Sequence, residues 1–381
     1  MGQAQDHINK AKRIVLKIGS ALVTDTEKGI VLSDWLKTLS QDIGTYFADK
    51  EIVIVSSGAI ALGRTSLNID LKKSPKELKI EEKQAAASIG QIKLIETYAN
   101  VFKEQDLKIA QVLLTPRDTE NRRTHLNARS TLTTLLEHKI IPIVNENDST
   151  ATDEIRFGDN DRMAARVAQM VEADTLLILS TTDGLYTDNP QTNPEATHLS
   201  HIENITDDLL QIAKEATSGI STGGMKSKLQ STKMAVDSGT TVIITKGTDK
   251  HALKQFMEDR QLSTLFESQG TPHNARKRWI KAHLKLHGVI KVDKGAEKAL
   301  NQGRSLLPVG VTEISGEFRR GDAVAIHNEN NEEIGIGLSA YDADLALKVR
   351  GLNSDQIDEV LGYTGRHSMI NRSDLVLHGD S

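Results

Sequence analysis

Cysteine is absent from this chain of 381 residues. Its absence excludes disulfide bonds, thiolate nucleophiles and cysteine-ligated metal ions, and it is typical of a reducing compartment. Aromatic residues make up only 3% of the sequence, so no stacking platform for single-stranded nucleic acid is indicated. No apolar run approaches the length of a membrane span, and the polar segment 1–10 lacks the apolar core of a signal peptide. We therefore expect a cytoplasmic protein.

An excess of basic residues is also lacking. The formal net charge is −5, whereas a chain that selects polyanions by bulk charge is expected to be basic. Hydrophobic residues account for 38% of the chain and charged residues for 26%, which is an ordinary globular composition. The length predicts two domains, or one large domain with an appendage.

The sequence carries none of the common nucleotide and hydrolase motifs. GxxxxGK[ST], GxGxxG opening a helix, GxSxG and HExxH are all missing. If the protein handles phosphate, it must therefore do so with other residues.

The first part of the chain alternates short apolar runs with helical patterns. The runs are continuously apolar, as expected of strands covered by helices on both faces, and they span residues 13–18, 51–55, 108–114, 140–144, 175–179 and 241–245. Helices are predicted over residues 82–100, 124–138, 161–172 and 224–237. Strand followed by helix, repeated, predicts an α/β sandwich with a mostly parallel sheet.

The pattern changes near residue 277. From Lys281 onward the segments are short and interrupted by turn residues, which predicts a small β-rich second domain. We place the domains at residues 1–276 and 277–381.

Candidate site residues follow the predicted strands, where open α/β sheets bind their ligands. Lys17 ends the first strand and is followed by Gly19 and Ser20, so an ammonium group and backbone N–H groups can face phosphate oxygens. The alternative is a surface lysine before an ordinary turn. The second strand leads into small residues over 56–63, which allow close approach of backbone to a ligand or simply begin a helix.

Two polar clusters surround the next predicted strand and helix. Residues 145–148 (NEND) directly follow the strand at 140–144, and residues 158–161 (GDND) begin the following helix. Helix capping accounts for single acidic residues there but not for both clusters, so a functional site is favoured.

A glycine-rich turn with lysines enters the last helix of this part. Residues 221–228 read STGGMKSK, which places Lys226 and Lys228 at a helix N-terminus. Cations at that end oppose the helix dipole and require a compensating anion, for which a nucleotide polyphosphate is a candidate. The alternative is a flexible loop with solvated lysines.

Together these segments resemble the amino-acid kinase family. The strings VLKIGS, IVSSGAIALG, IPIVNENDSTATDEIRFGDNDRMAA, GLYTDNP and STGGMKSKLQ match its motifs in order and spacing, and ARKRWI, GAEKAL, SLLPVGV, FRRGD and LGY resemble a C-terminal PUA domain. The resemblance covers essentially the whole chain. It implies a three-layer α/β/α sandwich with a mostly parallel sheet, plus a small β-rich PUA-like domain.

The resemblance also implies an activity and site residues. It implies ATP-dependent phosphorylation of the side-chain carboxylate of L-glutamate, giving L-glutamyl 5-phosphate in the first step of proline biosynthesis, with Mg²⁺ bridging the phosphates. Lys17, Lys228 and Asp161 would be catalytic, and no residue is assigned as a metal ligand. Ser57, Asp148 and Asn160 would bind glutamate. The ATP site would comprise Lys17, Ser180, Thr181, Thr222, Gly223, Gly224, Met225, Lys226, Ser227 and Lys228.

The implied partners are a homo-oligomer of the same chain, a downstream glutamyl-phosphate reductase, and proline as a feedback inhibitor. Three rival interpretations stay open. A kinase of the same fold could act on aspartate, N-acetylglutamate or UMP, and a non-catalytic amino-acid sensor is a second rival. The third, RNA binding by the PUA-like domain, conflicts with its charge, because residues 281–381 hold 12 Lys and Arg against 15 Asp and Glu, a net of −3.

Overall fold

The computed structural model describes residues 2–71, 74, 77–150, 160–190, 192–206, 209–210, 225–275, 285–362 and 366–378. The chain divides into two compact units, Met1–Pro272 and His273–Ser381. In the described residues, no helix has both the length and the apolar character needed to cross a membrane.

The first unit is built on a mostly parallel sheet. Its strands and two short hairpin pairs are β1 (Arg13–Ile18), β2 (Thr24–Asp25), β3 (Ile30–Val31), β4 (Glu51–Val55), β5 (Ile109–Leu114), β6 (Ile141–Glu146), β7 (Thr175–Ser180), β8 (Leu185–Tyr186), β9 (His198–Leu199), β10 (His201–Ile202), β11 (Thr241–Lys246) and β12 (Ser263–Phe266). Eight described strands form the main sheet in the order β10-β12-β11-β7-β1-β4-β6-β5. All neighbours from β11 to β5 pair in parallel, and β12 is antiparallel to β11.

Helices cover both faces of this sheet. They are α1 (Gln3–Lys10), α2 (Ser20–Val23), α3 (Ser33–Tyr46), α4 (Ala59–Arg64), α5 (Ile80–Lys103), α6 (Pro116–Glu120), α7 (Arg122–Glu137), α8 (Asn160–Met170), α9 (Met225–Asp237) and α10 (Ala252–Met257). The helices α1, α3, α5 and α10 pack on one face, and α7, α8 and α9 pack on the other. The result is a three-layer α/β/α sandwich.

Two hydrophobic cores explain why the strands are apolar throughout. In β1, Leu16 and Ile18 belong to one core and Val15 to the other, because successive strand side chains point to opposite faces. Every residue of β7 is buried. A sheet buried on both faces requires this continuous apolar sequence, so the predicted fold class is confirmed.

The predicted helices and strands are present, with shifts at their ends. Two of these shifts concern the site. The strand predicted to end at residue 144 continues as β6 through Glu146, so Asn145 and Glu146 lie in the strand rather than after it. Ser180 likewise lies in β7, which was predicted to end at Leu179. Both polar ends remain paired, because Asn145 aligns with Leu113 and Ser180 with Lys246 of the neighbouring strands.

A close crossing of α4 and α5 fixes the segment after β4. A Cβ atom on Gly63 would lie 1.8 Å from the carbonyl oxygen of Ala86, and one on Gly90 would lie 1.8 Å from that of Ala59. The two helices therefore touch backbone to backbone. Only glycine at these two positions permits that contact.

Gly90→Ala is therefore expected to destabilise the first unit by about 3 kcal/mol or more, because the added methyl overlaps backbone that cannot move independently. Circular dichroism, recorded during unfolding in urea, measures the loss in the free energy of unfolding. Gly44→Ala in α3 is the matched control, since its Cβ would meet nothing within 4 Å. The control should raise stability by about 0.5–1 kcal/mol through helix propensity. Equal unfolding midpoints for the two variants would contradict the close backbone contact between α4 and α5.

The second unit contains a smaller sheet. Its strands are β13 (Leu286–Val292), β14 (Val311–Gly316), β15 (Ala323–His327), β16 (Glu333–Leu338) and β17 (Leu375–Leu377), in the order β14-β13-β15-β16-β17. The helices are α11 (Lys294–Asn301), α12 (Ala343–Val349) and α13 (Ser354–Leu361). A separate core forms around Ile290, Val324, Ile326 and Ile370. The predicted small β-rich unit is thus confirmed.

Candidate active site

The carboxyl ends of five parallel strands meet at one edge of the main sheet. Because β7, β1, β4, β6 and β5 are neighbours in that order, the residues that end them lie along a common line. Lys17 stands at the end of β1, Ser57 follows β4, and Asp148 follows β6. The helix α8 begins at Asn160 and brings Asp161 to the same edge.

Asp161 lies between two lysines from distant parts of the chain. Its Oδ1 atom is 2.5 Å from Lys17 Nζ, and its Oδ2 atom is 3.3 Å from Lys228 Nζ. The side chains of Asp161, Lys17 and Lys228 are 2%, 8% and 18% exposed, respectively. We refer to these three residues as the lysine–aspartate triad.

The triad carries two positive charges against one negative charge in a poorly solvated place. Burial alone raises the pKa of Asp161, but the ammonium groups of Lys17 and Lys228 outweigh it and hold that pKa below its usual value. Burial lowers the pKa of Lys17, Asp161 raises it, and the nearby Lys228 lowers it again. The excess positive charge suits an anionic ligand, since buried charges require partners.

The position of Lys228 agrees with the sequence argument about its helix. Lys226 and Lys228 lie in the first described turn of α9, where cations oppose the helix dipole. Asp161 supplies a compensating anion for Lys228. Lys226 is exposed on the same turn.

Ser57 follows β4 and Asn160 precedes Asp161, and each donates a side-chain hydrogen bond to a backbone carbonyl oxygen. Ser57 Oγ donates to the carbonyl oxygen of Ile18, at 3.4 Å, and Asn160 Nδ2 donates to that of Ser56, at 3.2 Å. Gly58 has φ +110°, and a Cβ there would lie 2.6 Å from a methyl of Thr24. A glycine is therefore required for the tight turn that presents Ser57 at the strand end.

Asp148 does not touch the triad; it lines a cavity of about 330 Å³ to which no triad residue contributes. The walls of the cavity are α5 and the ends of β5 and β6, and they include Ala87, Gln91, Ile95, Leu113 and Asn147. Burial raises the pKa of Asp148 to about 6. In the described residues no cation approaches this carboxylate, so the cavity offers an acceptor for a positively charged group.

The residues predicted to bind ATP lie along two segments of the same edge. Ser180 is buried at the end of β7, and its Oγ lies 3.4 Å from the backbone N of Thr182, while Thr181 is exposed. In α9, Ser227 is half-buried and Met225 packs against the core under the helix. Thr222, Gly223 and Gly224 lie outside the described residues.

Two buried polar contacts near the site were not predicted from the sequence. Asn145 Nδ2 donates to Gln91 Oε1 at 2.7 Å, and Tyr98 Oη donates to Ser56 Oγ at 3.0 Å. Gln91 and Tyr98 belong to α5, so this helix supports the ends of β6 and β4. Among the residues 84–91 (QAAASIGQ), a glutamine on a face of small residues was the available signal.

The donor set fits a Mg²⁺ ion that arrives with phosphate rather than one held by a protein cage. Asp161 is committed to two lysines, and in the described part of the chain no group of three or more His, Asp or Glu side chains is arranged to hold a metal ion. Mg²⁺ commonly binds through one or two carboxylates together with substrate phosphates.

Comparison with known families gives two matches. The amino acid kinase family matches residues 12–246, and the PUA domain matches residues 288–361. The first match covers the triad, the cavity and every described strand of the main sheet except β12. The second lies within the smaller unit.

Curated relatives match over nearly the full length. The chain is 50% identical over 371 residues to proteins named glutamate 5-kinase from Brucella anthropi and Brucella ovis, covering 97% of this chain and 97% of each relative. Among solved structures, UMP kinase from Bacillus anthracis is similar with a TM-score of 0.48 and 13% identity, covering 68% of this chain and 98% of that one. The resemblance predicted from the sequence is confirmed, and the chain belongs to the amino acid kinase family.

Proposed function

We propose that this protein transfers the γ-phosphoryl group of ATP to the side-chain carboxylate of L-glutamate. The products would be L-glutamyl 5-phosphate and ADP, as in the first step of proline biosynthesis. The observation that carries the proposal is the lysine–aspartate triad, in which one buried carboxylate holds two ammonium groups at the edge of the sheet. The names of the full-length relatives support glutamate as the acceptor.

The chemistry of carboxylate phosphorylation suits these residue types. A carboxylate is already ionised at neutral pH, so the acceptor requires no general base. The enzyme must instead bring two anions together and stabilise the charge on the transferred group. Lys17 and Lys228 would bind that group, and Asp161 would hold both ammonium groups in place. Bound Mg²⁺ would neutralise further charge on the phosphates.

The acceptor would lie between the cavity and the triad. The ionised Asp148 would accept hydrogen bonds from the α-ammonium group of glutamate. Ser57 and Asn160, whose hydrogen bonds to the backbone join β1, β4 and α8, would contact the main-chain atoms. The side-chain carboxylate would then point toward Lys17.

The nucleotide would lie on the opposite side of the triad. Its binding residues would include Lys17, Ser180 and Thr181, together with residues 222–228. Since Met225 contributes to the core under α9, its contact with the nucleotide would come from the backbone rather than the side chain.

We further propose that residues 1–276 form the kinase domain and that residues 277–381 form the PUA-like domain, with a regulatory or assembly role. All candidate site residues precede residue 250, which supports this division. A homo-oligomer, feedback inhibition by proline and a downstream glutamyl-phosphate reductase remain parts of the proposal.

The pH dependence of glutamate use follows from Asp148. Its pKa is raised to about 6, so the carboxylate is protonated below that pH and loses its attraction for an ammonium group. We expect kcat/KM for glutamate to fall about tenfold per pH unit below 6 and to level off above it. Asp148→Asn should lack this inflection. A flat wild-type profile between pH 5 and 7.5 would contradict the role of Asp148.

A substrate panel tests the proposed activity. ADP release is measured with purified protein, ATP, Mg²⁺ and, in turn, L-glutamate, L-aspartate, N-acetyl-L-glutamate or UMP. We expect release with L-glutamate above all others, because N-acetylation removes the ammonium group and aspartate is shorter. Preferential use of UMP, or of N-acetylglutamate, would overturn the proposal.

A further inference from the structure

Gln91 stands in the wall of the Asp148 cavity and is not among the residues assigned above. It projects from α5, is only 8% exposed, and lines the cavity together with Asn147 and Asp148. Its Oε1 atom accepts a hydrogen bond of 2.7 Å from Asn145 Nδ2, at the end of β6. Gln91 therefore connects α5 to the end of β6, and Asp148 follows that strand by two residues.

Within the part of the chain that the structure describes, the amide nitrogen of Gln91 has no such partner. Its Nε2 atom is buried and forms no hydrogen bond within the described residues. Leaving a buried donor unpaired costs about 1–3 kcal/mol, so such groups are uncommon unless something else pairs with them. Gln91 lines the cavity, but Nε2 itself is not exposed to it, so a bound molecule would supply the missing acceptor after a small shift of the side-chain amide.

An amino acid offers two charged groups next to each other. Asp148 provides an acceptor for the α-ammonium group, but it repels the adjacent α-carboxylate. That carboxylate requires a donor within the same cavity. Gln91 lines the same cavity as Asp148, its Nε2 atom is an uncharged donor, and a neutral amide does not weaken the attraction between Asp148 and the ammonium group.

We propose that Gln91 is a specificity-determining residue that donates a hydrogen bond from Nε2 to the α-carboxylate of the acceptor amino acid. The inference rests on the proposed function, since it concerns the same acceptor site. Through its Oε1 atom Gln91 also positions Asn145. The residue thereby selects acceptors with a free α-carboxylate over those in which this group is an amide.

Gln91→Glu tests the proposal while keeping the contact to Asn145. A glutamate of the same shape can still accept from Asn145 Nδ2, but it replaces the donor by a negatively charged acceptor. The variant is assayed with L-glutamate and with L-isoglutamine, in which an amide replaces the α-carboxylate. We expect KM for glutamate to rise at least about tenfold, as for loss of a hydrogen bond to a charged group. KM for isoglutamine should change less than about threefold or fall, and KM for ATP should stay unchanged.

The ratio of kcat/KM for glutamate to that for isoglutamine is the decisive readout, because a purely structural role would lower both values together. Asn100→Asp, an exposed amide-to-acid change on the same helix, is the control and should leave the ratio unchanged. Gln91→Met removes the donor without adding charge, and it should also lower the ratio. This variant replaces Gln91→Glu if the Gln91→Glu protein does not melt cooperatively. An unchanged ratio in a folded variant overturns the inference while the proposed function stands. Absence of glutamate-dependent ADP release by the wild type overturns the proposed function itself.

Discussion

Lys228→Ala is expected to lower kcat at least about a hundredfold, as for the loss of one preorganised donor to a developing charge. Lys228 is the informative choice because its side chain is 18% exposed and its removal leaves Asp161 paired with Lys17. Lys17→Ala should reduce kcat similarly but with a loss of stability, since it removes the closer partner of a buried carboxylate. Steady-state kinetics at saturating ATP and glutamate measures the effect.

Lys233→Ala provides the control on the same helix. The side chain of Lys233 is 44% exposed and forms a surface pair with Asp237 at 3.7 Å, so its loss should change neither turnover nor stability measurably. If the folded Lys228→Ala protein has near-normal turnover, Lys228 takes no part in the reaction. The triad would then have a structural role only.

Asp148→Asn is expected to raise KM for glutamate about 10- to 100-fold while leaving KM for ATP within about twofold. The change keeps the volume of the side chain but removes the charge that would bind the α-ammonium group. Initial rates with each substrate varied in turn separate the two KM values.

A surface carboxylate controls for the change in net charge. Asp237→Asn makes the same substitution at an exposed position of α9, and both KM values should be unaffected. Equal increases in both KM values for Asp148→Asn would assign Asp148 to the nucleotide or metal site instead.

The arrangement of strands was predictable because burial on both faces leaves a simple signature. Continuous apolar runs located β1, β4, β7 and β11 within a residue or so of their observed ends. The polar end of β6 was missed because Asn145 and Glu146 are poor strand formers by sequence. Pairing with Leu113 and Leu114 of β5 extends the strand past them, which is a tertiary effect on local preference.

The site was predictable only in part. Because open α/β sheets bind ligands at the carboxyl ends of their strands, the sequence placed Lys17 and Asp148 at one edge of the sheet. It gave no distance between Lys17 and Asp161. That contact joins positions far apart in sequence and depends on where α8 begins. The Gln91–Asn145 contact depends on the depth at which α5 crosses the sheet. The glycine contacts fix how closely α4 and α5 approach each other, and no periodicity in the sequence reports either feature.

Trapping of the reaction product tests the central claim most directly. A phosphorylated carboxylate is an acyl phosphate, which reacts with hydroxylamine to form a hydroxamate. Purified protein is incubated with ATP, Mg²⁺, L-glutamate and hydroxylamine, and ADP and the side-chain hydroxamate of glutamate are quantified together. The account predicts one hydroxamate per ADP with the wild type and at least about a hundredfold slower formation of both with Lys228→Ala. ADP release without side-chain hydroxamate would contradict phosphorylation of the glutamate carboxylate.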